Sequence, residues 1–235
     1  MVFNFKQFSV NQDQCAMKIG TDSVLLGSFT PIENNPKTVL DIGAGTGILS
    51  LMLAQRSAAE QIDAIEIEEQ SYEQCVENFE NSPWNDRLFC FHASLDQFMA
   101  EPQDDYDIII SNPPFYTENY TSPKKSRSTA RFNESLPFED LIEASSILLS
   151  PNGILSVIIP HKEEENFITI AHEMGLYPFE ITRVKGTPTT EIKRSLIAFS
   201  RTEKNINFQE LTIETARHQY TPEYIELTKD FYLKM

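Results

Sequence analysis

Two hydrophobic rhythms alternate along this chain. Short, nearly unbroken apolar runs occur at Thr38–Ile42, Ile62–Ile67, Arg87–Phe91, Asp107–Ser111 and Ile154–Ile159. Between them, apolar residues recur every three or four positions: Thr46–Arg56, Glu69–Asn81, a short stretch near Leu95–Met99, Pro137–Leu149 and Glu163–Met174. The first rhythm belongs to strands buried on both faces of a parallel sheet, the second to the helices that cover it. Tyr177–Val184 and Ser195–Ser200 read as a closing hairpin pair. Thr21 is placed as the N-cap of a helix through SVLLGSF, and Thr221 with Pro222 opens a last amphipathic helix to the C-terminus. Pro151-Asn152-Gly153 reads as a turn. The pattern therefore predicts an α/β fold: a seven-stranded, mostly parallel sheet with one antiparallel strand and helices on both faces. A small β-rich extension carrying Phe3, Phe5, Phe8 and Ala16–Ile19 precedes it.

Composition narrows the class. The 235 residues are 40% hydrophobic and 23% charged, as in a globular protein. No apolar run is long enough for a membrane span, and the opening residues do not form a signal peptide; a cytoplasmic monomer is expected. Cys15, Cys75 and Cys90 show no C-x-x-C spacing and four histidines are scattered, so no metal site is expected. The net charge of −16 argues against nucleic acid. Its distribution argues the other way: Lys124, Lys125, Arg127 and Arg131 share a stretch free of acids, and Arg183, Lys185, Lys193, Arg194 and Arg201 form a second basic group. A positive face on an acidic body and solvated loops both fit.

Candidate chemistry starts at Asp41-Ile42-Gly43-Ala44-Gly45-Thr46-Gly47, where a strand ends and a helix begins. The glycines let the backbone approach a ligand closely. A dinucleotide fingerprint would place its third glycine one residue later, and Asp41 would repel a pyrophosphate. The sulfonium and ammonium of S-adenosylmethionine tolerate that carboxylate. A tight turn without ligand is the plainer alternative. Further on, Glu66 at a strand tip suits the two hydroxyls of a ribose.

The run Asp107-Ile-Ile-Ile-Ser-Asn112-Pro113-Pro114-Phe115 ends a buried strand in a rigid corner. The Asn112 side-chain oxygen and the Pro113 carbonyl can accept the two hydrogens of a planar amino group, and Phe115 can stack on a flat base. A purely structural strand-to-loop corner is the alternative.

Together these motifs resemble the class I S-adenosylmethionine-dependent amino-methyltransferases, of Rossmann-like fold. Within them the chain is similar to the tRNA adenine-N6 methyltransferases that modify a valine tRNA beside the anticodon. The likeness also rests on Phe5-Lys6-Gln7-Phe8, on Gln12 to Asp22, and on Asp230-Phe231-Tyr232-Leu233-Lys234. It implies S-adenosylmethionine as cofactor and tRNA as partner, with residues 1–30 an N-terminal extension packed on a methyltransferase domain of residues 31–235. It implies that Asp41, Gly43, Gly45, Glu66 and Asn112 line the cofactor site, with Asp22 and Lys18 near the cofactor's methionine end, and that Asn112, Pro113 and Phe115 hold the amine. Ser94 stands where such families place an acid for the cofactor's adenine; Ser94 and the Leu95 backbone N–H are expected to serve instead. Pro114, Tyr116, Lys124, Lys125, Arg127 and Arg131 are expected to face RNA. Guanine N2, a protein glutamine, or a non-catalytic RNA-binding role are the competing readings, with a dehydrogenase further off.

Overall fold

The computed structural model describes residues 2–101, 104–114 and 136–234. A hairpin of β1 (Val2–Asn4) and β2 (Ser9–Asn11) leads to α1 (Thr21–Phe29). The central run is β3 (Thr38–Ile42), α2 (Ile48–Arg56), β4 (Gln61–Glu66), α3 (Glu69–Glu80), β5 (Leu88–His92), α4 (Leu95–Met99) and β6 (Tyr106–Ser111). Then come α5 (Phe138–Leu148), β7 (Leu149–Pro160), α6 (Glu164–Glu173), β8 (Tyr177–Lys185) and β9 (Ile192–Ser200). The chain closes with β10 (Asn207–Thr212), a hairpin of β11 (Glu214–Ala216) and β12 (Gln219–Tyr220), and α7 (Pro222–Thr228).

The main sheet runs β10-β8-β9-β7-β6-β3-β4-β5. Its pairings are parallel except the two made by β9. The seven expected strands are present with one reversed; β10 adds an eighth at the edge, parallel to β8. From β3 the chain builds outward through β4 and β5, then returns to place β6 on β3's other side. That reversal opens a crevice beyond the carboxyl ends of β3, β4 and β6.

Period-two alternation divides the strand side chains between two cores. Val39, Ile108 and Ile110 join the layer with α1, α2 and Phe79, while Leu40, Ile42 and Ile109 join the layer with Phe98, Leu141 and Phe167. Both faces are thus covered, which is why these strands read as unbroken apolar runs.

Three local expectations change. The N-cap of α1 is Gly20, not Thr21: Gly20 has extended backbone and Thr21 is already helical, with no side-chain capping bond. Pro151-Asn152-Gly153 does not end a connection; it lies inside β7. Between Tyr106 and Ile108 of β6 the partner advances from Leu149 to Ile154, so the extra residues arch out of the ladder, with Pro151 and Asn152 exposed. The last helix ends at Thr228 rather than running on. Thr221 does cap it, accepting from the Tyr224 amide. Beyond it the chain returns to the N-terminal segment: the Lys6 amide donates to the Phe231 carbonyl at 2.9 Å, and Phe5 bridges Tyr232. Phe231 is buried, whereas Leu233 is 58% exposed. Among the described residues no helix is long and apolar enough to cross a membrane.

Candidate active site

The glycine loop is hung from the tip of β4. The Gly43 and Ala44 amides both donate to the Ile65 carbonyl, at 3.0 and 3.1 Å. Gly43 and Gly45 have φ of +76° and +56°, and the space where a Cβ would stand is empty at both. The loop therefore presents bare backbone to the crevice. Glu66 fixes the rim: one carboxylate oxygen accepts from the Gly45 amide at 2.7 Å and the other from the Glu68 amide at 2.9 Å. A carboxylate has about four acceptor positions, so acceptor capacity remains for hydroxyls beside it. Gly47, at φ +76°, turns the chain into α2; a Cβ there would meet Phe79 at 2.5 Å.

Next to this loop lies a cavity of about 170 Å³, lined by Gly43, Glu66, Ile67, Ser94, Leu95 and Asp140, among others. The expected Ser94 and Leu95 are thus on its wall, together with Asp96. Ser94 is also the N-cap of α4: its hydroxyl accepts from the Gln97 amide at 3.2 Å, while its own amide donates to the Gln97 side chain. The sequence reading settled on Ser94 as the replacement for an acid and passed over Asp96 two residues on, and Asp140 from the distant start of α5. Asp96 carries a local signal, an acid in the first turn of a short helix. Asp140 carries none.

Asp41 is not among the residues that line this cavity. It is fully buried, and one oxygen accepts from both the amide and the hydroxyl of Ser50, at 3.1 and 2.8 Å. Its other oxygen has no hydrogen-bond partner. Asp41 therefore supports the glycine loop from beneath, by tying β3 to α2. Burial raises its pKa to about 7, against the lowering effect of Ser50. Between the ordinary value of 3.8 and about 7 the folded state holds a proton that the unfolded state lacks, so stability falls as pH rises through that window. The wild type should lose up to about 4 kcal/mol more than Asp41→Asn between pH 4 and pH 8. Denaturant titrations at the two pH values check this; equal losses contradict it.

At the tip of β6 the Ser111 hydroxyl donates to the Ile42 carbonyl at 2.8 Å, locking the corner to β3. Asn112 is half-buried, Pro113 buried and Pro114 half-buried. The Asn112 amide nitrogen donates to the Ser23 hydroxyl on α1 at 3.2 Å, which leaves the side-chain oxygen as the acceptor. Ser23 was not legible in the sequence, because its partner lies 89 residues away along the chain. Replacing Ser23 with alanine should slow transfer about fivefold, one ordinary hydrogen bond, without loss of fold; an unchanged single-turnover rate contradicts its bracing role.

Asp22 is turned towards Arg194, accepting from its Nε at 2.7 Å. Lys18 donates to the carbonyls of Gln12 and Cys15, closing its own loop. That loop is pinned to α3, where Asn78 and Gln74 accept from the Asn11 and Gln14 amides. Phe115, Tyr116, Lys124, Lys125, Arg127 and Arg131 lie outside the described residues. The second basic group is not an open positive face. Arg183 pairs with the buried Glu164, Lys185 with Glu210, Lys193 with Glu191 and Arg194 with Asp22. Arg201 donates to the carbonyls of Ser146 and Leu149 at the end of α5, where a helix carries partial negative charge. Among the described residues no group of three or more His, Cys, Asp or Glu is placed to hold a metal ion.

The sheet order, with its switch-point crevice, the glycine loop after β3 and the Glu66 carboxylate at the tip of β4, defines a class I methyltransferase fold. Comparison with known proteins agrees. Residues 15–175 match the methyltransferase small domain family. A protein of Flavobacterium psychrophilum named tRNA1(Val) (adenine(37)-N6)-methyltransferase is 64% identical over 234 residues, covering 100% of both chains. Proteins of the same name from Bacteroides fragilis and Trichodesmium erythraeum are each 44% identical over 99% of this chain and 98% of theirs. Among solved structures, a predicted O-methyltransferase from Agrobacterium tumefaciens superimposes with a TM-score of 0.69 at 22% identity, covering 89% of this chain and 96% of its own. The chain belongs to the tRNA1(Val) (adenine(37)-N6)-methyltransferase family, within the methyltransferase small domain proteins. Its cofactor is S-adenosylmethionine.

Proposed function

We propose that this protein methylates N6 of adenine 37, beside the anticodon, in a valine tRNA, acting in the cytoplasm. The carrying observation is the corner at the tip of β6, where Ser23 takes up the Asn112 amide nitrogen and leaves the oxygen as an acceptor. Full-length relatives bearing that activity in their name support the choice of substrate.

The residues present fit the cofactor. The empty Cβ positions of Gly43 and Gly45 form a cradle for close approach, Glu66 has acceptor capacity for the ribose, and Ser94 and Leu95 line the adjoining cavity for the adenine. When bound, S-adenosylmethionine supplies a methyl group already activated on sulfur. The protein's share of the work is positioning. The Asn112 oxygen and the Pro113 carbonyl accept the two amine hydrogens, which turns the nitrogen lone pair out of the ring's conjugation and along the line of attack. No general base need act first, because the surplus proton leaves to water once the nitrogen has become cationic. Phe115 is assigned to stack on the base, and Lys124, Lys125, Arg127 and Arg131 to grip phosphates.

The test is incubation with radiolabelled S-adenosylmethionine and total tRNA, followed by nucleoside analysis. Label should appear as N6-methyladenosine in the valine fraction. Label in N2-methylguanosine, or in protein glutamine when extract is supplied, overturns the reading.

A further inference from the structure

A second and larger cavity, about 600 Å³, opens on the other side of α1's first turn. Its size lies within the roughly 300–1,000 Å³ usual for ligand sites. Phe3, Tyr220, Tyr224 and Tyr232 provide its aromatic walls, and Glu214 and Lys234 are the charged groups on its lining. Four separate pieces of chain build it: the first hairpin, the Ile19–Thr21 turn, the β11–β12 hairpin and the C-terminal segment. These include the start and end motifs of the sequence, which the methyl-transfer site does not use. The β11–β12 hairpin lies outside the main sheet, yet it carries Tyr220 with 38% of its surface exposed.

We infer that this cleft binds an unpaired nucleobase of the same RNA strand, next to the target adenine. The inference rests on the tRNA reading above and extends it to a second contact. Three observations carry it. The lining is aromatic: Tyr220, 38% exposed, lies 5.2 Å from the buried Tyr224, and Phe3 lies 6.4 Å from Tyr232. Exposed aromatic faces stack on any base. The cleft is also polar at its rim: Glu214 accepts from the His218 amide at 3.3 Å through one oxygen only, so the other can take an exocyclic amine. Finally, the cleft and the corner share one helix end. Thr21 lines the cavity and Ser23, two residues on, holds Asn112. Residues two apart on a helix point to nearly opposite sides, so the cleft and the corner flank the same helix turn. Such a cleft adds stacking to the phosphate contacts assigned to Lys124, Lys125, Arg127 and Arg131.

The test is binding of a fluorescently labelled valine tRNA transcript to wild type, Tyr220→Ala, Tyr220→Phe and Glu214→Gln at fixed salt, with cofactor affinity checking the fold. Tyr220→Ala should weaken tRNA binding about tenfold or more, Tyr220→Phe should restore it, and Glu214→Gln should weaken it less. Wild-type affinity in Tyr220→Ala, with tRNA binding otherwise intact, overturns the cleft and leaves the tRNA reading standing. If the wild type neither binds nor methylates tRNA, that reading falls and the cleft with it. A Tyr220→Trp variant gives a second readout. Its added emission should be quenched by tRNA, and an unquenched indole in a variant that binds normally counts against stacking.

Discussion

Asn112→Ala should slow methyl transfer on the order of 10²–10³-fold and leave S-adenosylmethionine binding intact. The substitution removes the acceptor that fixes the amine's orientation but touches neither the glycine loop nor Glu66. Losing one such positioned group at the reacting atom costs on the order of 10²–10³ in rate. Pro113 and the Ser111–Ile42 tie keep the corner's backbone in place, so the loss is one of chemistry rather than of folding. Asn112→Asp is a sharper probe: it keeps the acceptor but replaces the amide nitrogen that donates to Ser23, so it should keep part of the rate. Single-turnover rates with calorimetric cofactor titration separate the cases. A parallel fall in cofactor affinity would show that Asn112 belongs to the cofactor site instead.

Glu66→Ala weakens cofactor binding by about a hundredfold, two charge-assisted hydrogen bonds' worth. The carboxylate does two jobs, and alanine ends both. It leaves the Gly45 and Glu68 amides without their acceptor, and it removes the oxygens proposed to accept from the ribose hydroxyls. Glu66→Gln should lose nearly as much, because its NH2 group must point at one of two backbone N–H donors. Calorimetry with S-adenosylmethionine measures both. A Kd within threefold of wild type for Glu66→Ala would place the ribose elsewhere.

The parallel strands and the glycine loop were readable because burial on both faces leaves a dense apolar signal and because Gly43 and Gly45 need a conformation other residues resist. What escaped had weaker or non-local causes. The edge strand β10 buries only Leu211, so its sequence shows almost no alternation. Pro151-Asn152-Gly153 carries the residues of a turn, but β7 runs through it and accommodates it as an arch. Asp41 was expected at the ligand because it precedes the loop. Its side chain instead falls on the α2 side of the sheet, where Ser50 claims it, a matter of strand parity rather than of proximity. The second basic group looked exposed in a list of charges; acids distant in the sequence, Glu164, Glu210 and Asp22, take up Arg183, Lys185 and Arg194.

The tie from Gly45 through Glu66 to Glu68 joins the end of one strand, the turn before α2 and the turn before α3 into a single stiff frame. A pocket whose walls already stand needs no ordering of its lining when the donor molecule arrives. Capture of the methyl donor should then proceed in one kinetic phase, its observed rate rising in proportion to concentration with no plateau from a slow rearrangement.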